Sequence, residues 1–349
     1  MPDDDPEVGA PPQWRLAHLM DGYLTTQLLY VAAKLGIADL LAAGPRTGPA
    51  IAEAVGADPG LLGRALRGLV LEDVLAEQDG RFALTPLGAC LRDGVPGSMR
   101  GPAIARGELY YTAAAGLLRA VLHGGTAFEQ VHGERFFDHL ARHPEREAVF
   151  QASMAGRAAQ EAGDVVAAYD FGGYRRLVDV GGGRGILLEA ILGSAPELHG
   201  VLVDRPAVVP EARRRLEAAG LAARCELVTA DFFEAVPAGA GADAYLLSRV
   251  VHDWDDADAA RVLATCRTAM PPGSRLLLVE AIVPERARDR PAAVRMDLHM
   301  LVLLGARERT EAEYRRLLEA SGFQLLRVVP TRSQAGLSVL EAAPAGPGR

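Results

Sequence analysis

The chain has 349 residues, 49 % of them hydrophobic, and a formal net charge of −8. That length accommodates two domains or one large domain with an appendage, and the negative balance argues against non-specific nucleic-acid binding. Three cysteines without C-x-x-C spacing (Cys90, Cys225, Cys266) argue against a structural zinc and for a reducing compartment.

Residues 1–12 are acidic and Pro-rich, which predicts disorder and does not resemble a secretory signal. No apolar run approaches the ~18 residues of a membrane span. The expected location is therefore the cytoplasm, with no membrane partner. A helical pattern starts at Trp14, with Leu16, Leu19, Met20 and Tyr23 on one stripe. Leu28, Leu29, Val31, Ala32 and Leu35 continue it to Gly36. A stripe this apolar must be covered, by the chain's own core or by a second copy, and a homodimer interface is expected.

Residues 49–55 and 60–71 read as two helices about the turn Gly56-Ala57-Asp58-Pro59. Residues 74–84 read as a hairpin around Gln78-Asp79-Gly80. Helix, turn, helix and hairpin make a winged helix. Arg64, Arg67, Arg81 and Arg92 are outweighed by Asp58, Glu72, Asp73, Glu77 and Asp79. That is a poor footprint for phosphate, so a scaffold or dimerisation role is expected. Residues 92–102 read as a linker. Residues 103–168 read as largely helical, with Tyr110, Tyr111, Phe128, Phe136, Phe137 and Phe150 forming core or walling an aromatic pocket.

From Leu177 strands and helices alternate. Strands are expected at 177–180, 200–203, 225–229, 244–247, 276–280, 324–329 and 337–341. Helices are expected at 186–192, 208–219, 257–269 and 311–320. This is an α/β pattern with a buried, mostly parallel sheet, and ligands bind beyond the strands' C-terminal ends. The expected division is 1–102, a winged-helix dimerisation domain; 103–168, a helical linker and pocket wall; and 169–349, a Rossmann-like catalytic domain.

The densest chemistry follows the first of these strands. Leu177-Val178-Asp179-Val180 runs into Gly181-Gly182-Gly183-Arg184-Gly185, then an apolar helix. Glycines suit a sharp turn that must approach a ligand closely. The spacing is G-x-G-x-G, and Ile186 replaces the last glycine of a dinucleotide fingerprint. Asp204 ends the next strand, where an acid accepts from ribose hydroxyls or caps the following helix. Asp231-Phe232-Phe233 offers a carboxylate beside flat apolar faces, which suits an adenine. His252, in Ser248-Arg249-Val250-Val251-His252-Asp253-Trp254, falls beyond a strand end where a general base belongs. A metal reading of His252 with Asp253 and Asp255 is weaker, since no H-E-x-x-H pattern or His/Cys cluster accompanies it.

Four blocks now occur in order: Val178-Asp179-Val180-Gly181-Gly182-Gly183, Asp231-Phe232-Phe233, His252-Asp253-Trp254 and Gly305-Ala306-Arg307-Glu308-Arg309-Thr310. Together they resemble the S-adenosylmethionine (SAM)-dependent small-molecule O-methyltransferases, the plant caffeate-type enzymes and the bacterial enzymes that tailor aromatic polyketides. The resemblance spans roughly residues 14–343 and implies a homodimer built on the winged-helix region. It implies SAM as cofactor, S-adenosylhomocysteine as product and no metal. Gly181, Gly183, Asp204, Asp231, Phe232 and Phe233 match cofactor-contacting positions. His252 matches the catalytic base, and Glu280 and Glu308 match the two acids that orient it. Met154 resembles the methionine near the reacting methyl, and Phe150 and Trp254 are further candidates beside it. Three positions depart from the family. Ser248 stands where a lysine is frequent, so that contact passes to its hydroxyl or to Arg249. Arg205 replaces the usual leucine, and His299-Met300 lies in the variable substrate segment.

The reading is methyl transfer to a phenolic hydroxyl of a bacterial secondary metabolite, an orsellinate-like acid being one candidate. Two rivals stand beside it: a SAM-binding winged-helix regulator, and a hydroxylase or decarboxylase on the same fold.

Overall fold

The computed structural model describes residues 11–239, 243–333 and 335–345; of the stretch 1–12 expected to be disordered, 1–10 lie outside the described residues and Pro12 opens a helix. Two compact units emerge, Met1–Ala115 with Val131–Gly156, and Gly116–Gln130 with Arg157–Arg349. The helical stretch expected over 103–168 is thus shared between them. It comprises several short helices and the 25-residue helix Pro144–Ala168.

In the first unit, helix Pro12–Met20 buries none of its residues. Helix Gly22–Lys34 follows and buries Ala32 and Ala33. The N-terminal apolar stripe therefore divides. Trp14, Leu16, Leu19, Met20 and Tyr23 stay exposed. Leu28 turns inward against helix Pro59–Leu71, where a Cβ on Gly68 would lie 2.7 Å from its Cδ1. That helix starts at Asp58, whose Oδ1 accepts from the Leu61 N–H at 2.8 Å, a side-chain cap satisfying an orphan donor. Strands β1 (Arg46–Thr47), β2 (Leu75–Gln78) and β3 (Arg81–Leu84) form an antiparallel sheet ordered β1-β3-β2. Asp79 and Gly80 both have positive φ, as a two-residue hairpin turn requires. Ile51, Leu66, Leu69 and Phe82 fill the core beneath this winged helix. β1 is too short to show an alternation, and the sequence gives no sign of it. The expected linker 92–102 runs into a helix, Arg100–Ala105, because Pro102 sits in its first turn, where no amide donor is needed.

Among its described residues the second unit holds seven strands: β4 (Arg176–Val180), β5 (His199–Asp204), β6 (Cys225–Thr229), β7 (Ala244–Ser248), β8 (Arg275–Ala281), β9 (Phe323–Pro330) and β10 (Leu337–Pro344). Their order is β6-β5-β4-β7-β8-β10-β9. β4 to β8 are parallel. β10 runs antiparallel to both β8 and β9, since the short connection from β9 permits only a hairpin. The central strands are apolar on both faces. Val178, Val180, Tyr245, Leu247 and Leu276 enter one core, and Leu177, Leu246, Leu277 and Val279 enter the other. One helix is absent from the expectations, Pro291–Leu303, which buries Ala293, Met296, Met300 and Leu303. Strand order reverses at β4: the chain moves outward to β5 and β6, then returns to β7 on the other side. The crevice at such a switch point is where an open α/β sheet takes its ligand.

Candidate active site

The glycine turn follows β4 and the His252 turn follows β7, so adjacent strands deliver both to one place. Gly181, Gly183 and Gly185 have positive φ, which bulkier residues adopt only with strain. A Cβ on Gly181 would sit 2.8 Å from Val250 Cγ2, and one on Gly182 would sit 2.6 Å from Asp179 Oδ2. Around Gly183 nothing lies within 4 Å of that position, so the backbone there faces open space. Asp204 Oδ2 accepts from the Gly183 N–H at 2.8 Å, and its Oδ1 from the Arg205 N–H at 2.7 Å. The helix-cap alternative for Asp204 falls away, because helix Val209–Ala218 begins after Val208 with no side-chain cap.

Asp179 is buried, and neither carboxylate oxygen has a hydrogen-bond partner among the described residues. Burial, with the charge of Asp204 added, pushes its pKa up to about 7. An orphaned buried carboxylate beside a glycine cradle is a standing cost unless a cationic or donor group meets it. Across the turn, Asp231 Oδ1 accepts from the Phe233 N–H at 2.9 Å. Phe232, Phe233 and Trp254 form an aromatic corner, with Trp254 edge-on to Phe233 at 4.7 Å.

His252 lies in a single turn, Val251–Asp253, and is 5 % exposed. Its Nδ1 lies 2.8 Å from Glu308 Oε1 and 3.8 Å from Glu280 Oε2, and its Nε2 lies 3.3 Å from Asp253 Oδ1. Glu280, at the end of β8, accepts through Oε1 from the Val250 and Val251 N–H groups at 3.1 and 2.9 Å. Burial alone would lower the imidazole pKa. The charges of Glu308, Glu280 and Asp253 outweigh it and push the value up to about 9. Burial, reinforced by Glu308, pushes Glu280 up to about 7. The donor atoms of His252, Glu280 and Glu308 all lie within 4.8 Å of one another. Glu308 Oε1 meets His252 Nδ1 and Glu280 Oε1 takes two backbone amides, while Glu280 Oε2 and Glu308 Oε2 have no hydrogen-bond partner among the described residues. A second group, Glu134, His139 and His143 in the first unit, has Arg146 donating to His139 Nε2 at 2.6 Å. That guanidinium occupies a ligand position with positive charge.

The turn is clamped from outside. Arg309 is fully buried and donates to Val251 O at 3.0 Å, Trp254 O at 2.9 Å and Asp256 Oδ1 at 2.8 Å. Asp297, on helix Pro291–Leu303, accepts from the Glu308 N–H at 3.0 Å. Arg249 does not reach out as a replacement for the missing lysine: its guanidinium forks onto Glu161 at 2.9 and 2.7 Å. Ser248 ends β7 half-buried. His299 is half-buried and Met300 buried on helix Pro291–Leu303. Phe150 and Met154 belong to the first unit, where Phe150 meets the ring of Phe136 at 5.2 Å and Phe137 at 6.3 Å.

Sequence comparison bears on this arrangement. The O-methyltransferase domain family matches residues 115–324, and the O-methyltransferase dimerisation domain family matches residues 17–93. The chain belongs to the O-methyltransferase family. This methyltransferase is 48 % identical to phenazine O-methyltransferase PhzM of Lysobacter antibioticus, over 94 % of this chain and 95 % of that one. It is 40 % identical to the 8-amino-8-demethylriboflavin N,N-dimethyltransferase of Streptomyces davaonensis, over 87 % of this chain and 88 % of that one. A solved structure of the O-methyltransferase NcsB1 from neocarzinostatin biosynthesis, in complex with SAM and 2-hydroxy-5-methyl naphthoic acid, superposes with a TM-score of 0.80. The identity there is 33 %, over 92 % of this chain and 96 % of that one.

Sequence reasoning missed four residues that the structure places around the candidate site: Asp179, Glu161, Asp297 and Arg309. Asp179 carried a signal, since an acid inside an otherwise apolar strand must be paired or functional. The other three carried none, because their partners lie 11 to 88 positions away.

Proposed function

We propose that this methyltransferase transfers the methyl group of SAM to a phenolic hydroxyl of a small aromatic molecule in bacterial secondary metabolism, with His252 as general base. The observation that carries the reading is a buried histidine whose Nδ1 is held by Glu308 at 2.8 Å, with Nε2 on the other side of the ring 3.3 Å from Asp253 Oδ1.

The chain's own residues fit the cofactor. Open space over Gly183, the carboxylate of Asp204 and the orphaned Asp179 suit a ligand bearing hydroxyls and an ammonium group. Asp231 with Phe232 suits its adenine. SAM supplies an electrophilic sulfonium methyl.

A phenol, with a reference pKa of about 10, is a poor nucleophile until its proton leaves. His252 Nε2 takes that proton. Glu308 fixes the tautomer with Nδ1–H pointing away from the acceptor and stabilises the charge that develops. Glu280 holds the backbone of the turn, so the ring keeps its aim. Arg309 closes the same turn from below. Alignment of the reacting atoms supplies much of the remaining acceleration.

A nitrogen acceptor is the second reading, favoured by the N,N-dimethyltransferase among the relatives. An aryl amine is nucleophilic without losing a proton, so its methylation depends less on His252. The exposed helix Pro12–Met20 and the match to a dimerisation family support a homodimer built on residues 17–93. No helix among the described residues is long and apolar enough to cross a membrane.

The test is a mass-spectrometric screen of phenols, orsellinate-like acids among them, and aryl amines with SAM, run with wild type and His252→Gln. Products gained by 14 mass units from phenols, and lost in the variant, support the reading. Amine products formed equally by both proteins would replace it with the second.

A further inference from the structure

Arg249 has a φ of +54°, in the left-handed region. Such a conformation in a non-glycine residue is uncommon and persists only where its surroundings impose it. The surroundings here are specific. The Arg249 N–H donates to Val279 O at 3.0 Å. The guanidinium meets Glu161 in a two-point fork, Nε to Oε2 at 2.9 Å and Nη2 to Oε1 at 2.7 Å. The two side chains are 20 % and 10 % exposed, so the fork is shielded from water, where charge-assisted pairs of this geometry are strongest. The next two residues present their N–H groups to Glu280, and the residue after them is His252. Any rotation at Arg249 is therefore transmitted to the imidazole within three residues.

We propose that the Arg249–Glu161 fork is the positioning device of the catalytic turn: it holds Arg249 in its strained conformation and so sets the aim of His252, and it is not a contact to the cofactor. Glycine would take this φ without strain but could not be fixed in it. Arginine accepts the strain and is locked by its own side chain. Burial would lower the guanidinium's pKa, and Glu161 more than restores it, so Arg249 keeps its charge. The inference rests on His252 being the base.

The test uses the full chain and the variants Arg249→Lys, Glu161→Gln, Arg249→Gly and Arg249→Ala. Arg249→Lys keeps both charges and removes the fork. The ring of His252 is titrated by NMR without ligand, its signal identified by loss in His252→Gln. SAM affinity is measured by calorimetry and turnover with a phenolic acceptor. Arg249→Lys and Glu161→Gln are expected to move the His252 midpoint by about half a pH unit or more, because the ring shifts against Glu308 and Glu280. They are expected to lower kcat by about tenfold or more and to leave the SAM Kd within about twofold. Arg249→Gly should retain more turnover than Arg249→Ala, because it adopts the required φ freely. A wild-type midpoint and kcat in Arg249→Lys would overturn the proposal. So would a SAM affinity weakened about tenfold with an unmoved midpoint, which makes Arg249 a cofactor contact. Where Arg249→Lys does not fold, Glu161→Gln is judged by the same outcomes. Undiminished turnover in His252→Gln would refute the base reading alone, since the ring's titration still decides whether the fork positions it.

Discussion

His252 and Glu308 are 56 positions apart in the chain, yet Nδ1 and Oε1 meet at 2.8 Å in a buried site. The contact engages Nδ1 and leaves Nε2 on the side of Asp253, 3.3 Å from its Oδ1. If His252 is the base, His252→Gln should lower turnover by about 10²–10⁴-fold. SAM affinity should change little, because its candidate contacts lie on other loops. Glu308→Gln should cost less, since it keeps a hydrogen-bond acceptor and removes only the charge. Steady-state kinetics and calorimetry on both variants check this.

The pH dependence of activity should follow the elevated imidazole pKa. At neutral pH the ligand-free ring, with its pKa pushed up to about 9, is mostly protonated and cannot accept a proton. Activity should therefore rise with pH through a midpoint well above the 6.5 of a free histidine. A bound cation nearby disfavours the imidazolium, so kcat at saturating SAM should rise at lower pH than the free ring titrates. A midpoint near 6.5 in both profiles would show that the acid cluster does not control the base.

Three buried groups give the stability of the ligand-free protein one sign of pH dependence. His252 is raised from 6.5, so its stabilising contribution is complete below 6.5 and is lost as pH rises through about 9. Asp179 and Glu280 are raised from 3.8 and 4.5 to about 7, so each costs stability as pH rises through that interval. Melting temperature should fall from mildly acidic to alkaline pH. Asp179→Asn should raise it at pH 8 by removing an unpaired buried charge, and should weaken SAM by removing the partner of a cationic group. Scanning calorimetry with and without SAM separates the two effects.

Asp204 serves two ends at once. It holds the Gly183 N–H and so shapes the cradle, and its proposed second role is to accept from the ribose of SAM. Asp204→Ala should weaken SAM by roughly 1.5–3 kcal/mol, the range for a hydrogen bond to a charged group. Asp204→Asn, which keeps an acceptor oxygen, should lose less. Unchanged affinity in Asp204→Ala would confine the residue to shaping the turn.

Leu16, Leu19, Met20 and Tyr23 form an exposed apolar face on the first two helices. A face of this kind marks an interface. Light scattering should return twice the chain's mass at micromolar concentration. Leu19→Asp with Tyr23→Asp should return the single chain with its winged-helix core intact, since neither side chain is buried. A wild-type monomer would leave that face without its proposed partner.

The sequence by itself determined the alternation of strands and helices, the glycine turn, the winged helix and the order of the four family blocks. These are local: apolar periodicity, turn residues and spacing are properties of neighbours in the chain. Helix 311–320 has the bounds expected of it, and the structure closes its start locally with a capping box between Thr310 and Glu313. Helix Pro291–Leu303 is absent from the expectations although its buried residues Ala293, Met296, Met300 and Leu303 recur at helical spacing behind Pro291. The tertiary structure alone decided that Arg249 is spent on Glu161, that Asp179 has no hydrogen-bond partner among the described residues, and that Arg309 and Asp297 hold the Val251 and Glu308 backbones about His252. Those facts depend on which buried groups find partners across the sheet, and that is set only when separate strands and helices share one low-dielectric interior.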